Sequence, residues 1–178
     1  MKTLEDRYEA APTFREFLNA VEKNETLWRT FADRARVSDH VKAELESLPP
    51  LRLLVLSEDW CGDAVNTLPL VARMAEVAPN LDLRVLSRDE NPDLMDSHLT
   101  GGSRSIPVVI VYDENMRELA WWGPRPTLLQ DWVMEEGLSM ASRERYREMR
   151  RWYAVDRGDS TVREVLAKLQ AAVRDLAA

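Results

Sequence analysis

Leu51-Arg52-Leu53-Leu54-Val55-Leu56-Ser57-Glu58-Asp59-Trp60-Cys61-Gly62-Asp63-Ala64 is the stretch on which the fold turns. Its first six residues are short, mostly apolar and preceded by Pro49-Pro50. That is the pattern of a buried strand, since alternation would leave one face wet. From Gly62 the pattern changes period: Val65, Leu68, Val71, Ala72 and Ala75 fall on one side of a helix running to Val77, with Pro69 as a kink point. Cys61, the only cysteine in the chain, therefore sits where a strand ends and a helix begins. After a turn at Pro79-Asn80, residues 81–86 alternate well enough for a second strand, which predicts a right-handed parallel crossover.

Further along, Asn91-Pro92 opens a short helix with Leu94, Met95 and Leu99 inward, closed by Gly101-Gly102. Residues 107–112 form a β-branched run, Asp113-Glu114-Asn115 a tight connection and residues 119–122 a return strand, predicting an antiparallel hairpin. Thr127 is placed to cap a helix carrying Leu128, Leu129, Trp132 and Val133, which Gly137 stops. A charged helix over residues 143–153 follows, then a Thr161/Glu164 capping box ahead of Val162, Val165, Leu166, Leu169, Val173 and Leu176. Upstream, Thr13 with Glu16 forms another capping box, Leu27, Trp28, Phe31 and Ala35 mark a second helix, and Ser38 caps a third. Residues 1–48 read as a helical lead-in, 51–137 as an α/β core and 138–178 as a helical tail, all within one domain.

Composition narrows the function. With 178 residues and 45% apolar content the chain is long and greasy enough for one sizeable core. A formal net charge of -7 opposes binding to nucleic acid or an anionic membrane, both of which need a positive field. A single cysteine excludes an internal disulfide. The charged N-terminus has no signal-peptide pattern, and no window reaches the ~20 apolar residues of a membrane span, so a cytoplasmic location is expected. His40 and His98 lack partners at ligand spacing, so neither a metal nor another cofactor is expected. Arg143, Arg147 and Arg151 make a basic stripe whose neighbours Glu144 and Glu148 suit a solvated helix face.

The order strand, helix, strand, helix, hairpin, helix resembles the thioredoxin fold, an α/β fold with a central mixed sheet. Trp60-Cys61-Gly62 is similar to the start of that family's Trp-Cys-Gly-Pro-Cys motif, Pro69 to its helix-kinking proline, Arg104-Ser105-Ile106-Pro107 to its cis-proline segment and Gly123 to a glycine past its last strand. Glu58-Asp59-Trp60-Cys61-Gly62-Asp63 and Trp152-Tyr153-Ala154 resemble a bacterial branch of thioredoxin-like proteins. The resemblance implies a thiol–disulfide redox protein with Cys61 as nucleophile. It also implies that Trp60, Gly62, Asp63, Ile106 and Pro107 shape the site for a protein or small-molecule thiol or disulfide. The alternative is a redox-inactive binding module using the groove near Ile106-Pro107.

Two departures from that pattern bear on turnover. Position 64, where the family has its resolving cysteine, is Ala64, and the position of its buried carboxylate is Val55. Without a second thiol a mixed disulfide is not released internally. Ala64 is compatible with a natural single-thiol protein resolved by a small thiol, with lost redox chemistry, or with an engineered Cys-to-Ala replacement. The helix N-terminus favours a Cys61 thiolate, whereas Asp63, and Glu58 and Asp59 if turned inward, oppose it, so the sequence sets no sign. A single-thiol iron–sulfur carrier is a further alternative, disfavoured because one cysteine cannot ligate a cluster alone.

Overall fold

The computed structural model describes residues 3–176. At its centre β1 (Leu51–Ser57) pairs in parallel with β2 (Leu81–Ser87) and antiparallel with β3 (Val108–Tyr112), which pairs antiparallel with β4 (Glu118–Trp122). The sheet order is β2-β1-β3-β4. Interior position explains the composition of β1: Val55 has Val85 on one side and Val109 on the other, and only Arg52 in the strand escapes burial. A carboxylate at position 55 would be fully buried between two valines, a costly placement.

The crossover from β1 to β2 is α5 (Gly62–Val77), with Pro69 inside it and Cys61 as its N-cap residue. The short α6 (Pro92–Asp96) follows β2, and α7 (Thr127–Glu135) follows the hairpin. Beyond a 3₁₀ turn at Gly137–Ser139 come α8 (Ser142–Asp156) and α9 (Asp159–Leu176). Helix α9 packs on β4 and α5 and contributes Val165, Leu166, Leu169 and Ala172 to the main core. A smaller cluster of Leu129, Val133, Met149 and Tyr153 joins α7 to α8.

The lead-in consists of α1 (Leu4–Ala10), α2 (Phe14–Ala20), α3 (Glu25–Arg34) and α4 (Asp39–Glu46). Thr13 and Glu16 form their capping box, and Ser38 accepts from Val41 N–H. Helix α1 was not anticipated, although Thr3 and Asp6 make a capping box of the same kind. The segment between α1 and α2 closes the free edge of β2. Val85 N–H donates to Pro12 O at 2.8 Å, Thr13 bridges Arg84, and the Tyr8 hydroxyl lies 2.9 Å from Asp82 O. An unpaired edge strand would otherwise offer a template for association.

Several expected details are corrected. Helix α6 stops at Asp96, so Leu99 lies beyond it and is partly exposed. Thr127 is the first residue of α7 and makes no side-chain cap; Leu128 on the same turn points to solvent. Thr161 lies inside α9, its hydroxyl buried without a partner, and Glu164 reaches across to another helix rather than back to its own. The two misplaced caps are linked: Thr-x-x-Glu at Thr161/Glu164 describes a local pairing, but here the Glu164 carboxylate is taken by the first amide of α7 at Thr127. Among the described residues no helix is long and apolar enough to cross a membrane.

Candidate functional site

The site begins with the end of β1. Strand pairing carries the chain to Ser57, and the next three residues form the turn into α5. Both acidic residues of that turn face away from the thiol. Glu58 accepts from Ser87 Oγ (2.8 Å) and Asp89 N–H (3.0 Å). Asp59 accepts from the amides of Glu22 (3.0 Å) and Lys23 (2.8 Å), while its carbonyl accepts from Trp28 Nε1 at 2.8 Å. The lead-in helices thus pin the motif from one side.

Cys61 is almost fully buried. The Ala64 amide donates to its sulfur at 3.5 Å, and the thiol donates to the carbonyl of Ile106 at 3.3 Å. The Ile106–Pro107 peptide is cis, as is Gly123–Pro124. Gly123, at φ +136°, holds these two segments together: an added Cβ would lie 2.1 Å from Pro107 O. Motif, Ile106-Pro107 and the segment after β4 therefore converge on one point. Ala64 is completely buried, so the position of the missing second thiol is filled by packing.

Burial pushes the Cys61 thiol up, and the charge of Asp63 pushes the same way. The Ala64 and Asp63 amides and the Arg125 guanidinium work against them, but the result is about 11. Desolvation thus outweighs the helix N-terminus, which settles a sign that the sequence left open.

Asp63 is not at the surface. Its side chain is 8% exposed, and Arg125 Nη2 and Nε donate to Oδ2 at 2.6 and 3.1 Å. The buried Tyr153 hydroxyl donates to Oδ1 at 2.7 Å, and Arg125 Nη1 donates to Gln130 Oε1 at 2.7 Å. Burial works against the Arg125 cation, yet Asp63 holds it above its ordinary value. Burial and then Asp63 hold the Tyr153 phenol well above its own. Of the residues the resemblance places at the site, Gly62 and Trp60 are exposed, while Ile106 and Pro107 are buried. Asp63 has its carboxylate committed inside the protein. Arg88 lies 4.9 Å from the Trp60 ring centroid and donates to Arg104 O at 3.1 Å, joining the two rims of the site.

Arg125 and Tyr153 were missed as site residues. Arg125 sits between two prolines directly after Gly123, which is a signal for a constrained loop but not for its target. The stripe on α8 is largely neutralised: Arg147 pairs with Glu144 and Glu148, and Arg151 with Glu148. Among the described residues no group of three His, Cys, Asp or Glu side chains is placed to hold a metal ion.

A model of the thioredoxin family matches residues 11–147. Two solved structures share the fold over nearly their whole length. One, a protein of unknown function from Pseudomonas aeruginosa, is 21% identical with a TM-score of 0.76, covering 97% of this chain and 99% of that one. The other, an HIV epitope-scaffold, is 19% identical with a TM-score of 0.74, covering 95% and 98%. No curated protein matches the sequence.

Proposed function

We propose that this chain, which belongs to the thioredoxin family, is a single-thiol redox protein in which Cys61 exchanges with a disulfide of a protein or small-molecule partner. The observation that supports this reading is the placement of the sulfur, 3.3 Å from the carbonyl of the residue preceding cis Pro107, where an extended partner chain would lie. The Cys61 thiolate attacks one sulfur of the partner disulfide, that S–S bond breaks, and the departing thiolate takes up the proton. The protein is left as a mixed disulfide. A second thiol, supplied in solution, then attacks it and restores Cys61, because position 64 offers none.

With the thiol raised to about 11, roughly one molecule in ten thousand carries the thiolate at pH 7. Exchange is therefore slow in the resting form. The same burial favours a second reading, a binding module that uses the surface around Trp60, Ile106 and Pro107 without chemistry.

Incubation with glutathione disulfide from pH 7 to 10, followed by intact mass measurement, separates the two. The redox reading expects an adduct on Cys61 that forms faster as pH rises and is removed by free thiol. No adduct at any pH, together with partner capture unchanged by Cys61→Ser, would establish the binding module instead. Insulin disulfide reduction by Ala64→Cys but not by the unsubstituted chain would identify Ala64 as the block to turnover.

A further inference from the structure

Asp63 is an unusual neighbour for a thiol expected to react. Five charged or titratable groups lie within three residues of Cys61 or reach its neighbour Asp63 from other elements, and their directions differ. Glu58 and Asp59 are turned to Ser87, Asp89, Glu22 and Lys23. Asp63 on α5 is 8% exposed, Arg125 from the loop after β4 is 13% exposed, and Tyr153 on α8 is buried. The last three meet in one cluster, with Arg125 and Tyr153 donating to opposite oxygens of the same carboxylate. Three separate elements are thus used to fix one negative charge next to the sulfur. As a source of stability such a buried pair is weak, because desolvation offsets most of the attraction. Its direction is more informative than its strength. A negative charge fixed two residues from Cys61 opposes ionisation of the thiol, and the sulfur donates its proton to the Ile106 carbonyl.

We propose that Asp63 is a positioning residue for the thiol site: its carboxylate, clamped by Arg125 and Tyr153 two residues past Cys61, adds to burial in keeping Cys61 as a thiol donating to Ile106. Tyr153 makes the C-terminal helix α8 part of that device. The inference deepens the redox reading, since it matters most if Cys61 is the working thiol. Its test does not need a redox partner, so the two fail separately. The acidic side of the balance also outweighs the basic one, since Asp63 acts on the thiol more strongly than Arg125 does.

The single cysteine makes the measurement unambiguous: the rate of iodoacetamide alkylation is followed from pH 6 to 10, with circular dichroism on each sample. Asp63→Asn, whose amide oxygen can accept from Arg125 while its NH2 donates to the Tyr153 oxygen, is expected to shift the profile to lower pH by about one unit. That raises the thiolate fraction about tenfold. Because nucleophilicity falls with basicity, the rate at pH 7 rises about threefold. Asp63→Asn with Arg125→Met removes both charges and is expected to shift the profile in the same direction by a smaller amount. An unchanged profile in folded Asp63→Asn overturns the proposal. So does a double variant that alkylates faster than the single one, since that ordering reports loosened packing rather than charge. Should Asp63→Asn not fold, the double variant decides: a profile moved to lower pH supports the clamp, and one unmoved or moved to higher pH overturns it.

Discussion

The proton on Cys61 ties stability to pH. Folding raises this thiol from 9.0 to about 11, so the native state keeps a proton that the unfolded chain gives up. The contribution is fully present below pH 9 and is lost as pH rises through the folded value. Two units correspond to about 2–3 kcal/mol. Urea unfolding at pH 8 and pH 10.5 should show the unsubstituted chain losing more stability than Cys61→Ser, and equal losses would mean that the thiol is not buried as described. Gly123 gives a second test at this scale. At φ +136° with Pro107 O where a Cβ would sit, Gly123→Ala meets backbone on backbone, which cannot swing aside as a side chain can. A loss of about 3 kcal/mol or more in thermal or urea unfolding is expected. Cys61 itself was legible in the sequence because its position depends on two neighbouring periodicities. The state of its proton was not. It depends on Arg125 and Tyr153, 62 and 90 positions away from Asp63, and a pattern read along the chain carries no information about which distant side chain fills a buried space.

Among the elements, strands and long helices were read correctly where burial is uniform, as in β1 and β3, and misread where another element supplied a cap. Helix α7 shows why. Its first amide, Thr127 N–H, donates to Glu164 on α9 at 2.9 Å, and the same carboxylate accepts from Trp122 Nε1 on β4 at 3.0 Å. One acidic side chain therefore satisfies an unpaired helix-start donor and an indole, and places negative charge at the positive end of α7. Glu164→Ala leaves both donors short of a partner and should cost about 1–2 kcal/mol. In a chain of this size that lowers Tm by about 3–6 °C. Thr127→Ala removes a side chain that makes no cap and should fall within about 0.5 kcal/mol. The reverse ranking in a thermal melt would restore Thr127 as the cap. The pattern yields a capping box only where both partners stay local, as at Thr13/Glu16 and at the unanticipated Thr3/Asp6; at Thr161/Glu164 the carboxylate is taken by α7 and β4.

At the scale of the molecule, the helical extensions read as part of the site rather than as additions to it. The lead-in holds the motif through Asp59, where Trp28 and the amides of Glu22 and Lys23 converge, and the tail holds it through Tyr153 on Asp63. The tail also completes the core. Helix α9 lies beyond residues 11–147, where the family match ends, yet it covers β4 and α5 with Val165, Leu166, Leu169 and Ala172. Each fully buried aliphatic side chain of this size contributes about 1.5–3 kcal/mol, so Val165, Leu166 and Leu169 together rival the whole stability of an ordinary domain. A chain ending at Met140 should therefore fail to reach a fixed tertiary structure. Near-ultraviolet circular dichroism is expected to be lost and a dye for exposed apolar surface to bind, while β-sheet signal in the far ultraviolet partly persists. A sharp cooperative melt from that shortened chain would show instead that residues 1–140 carry a core without α8 and α9. In that case Cys61, freed of Tyr153, should alkylate faster at pH 7 than in the full chain, so the same material reads both the dependence of the fold on its tail and the restraint that the tail places on the thiol.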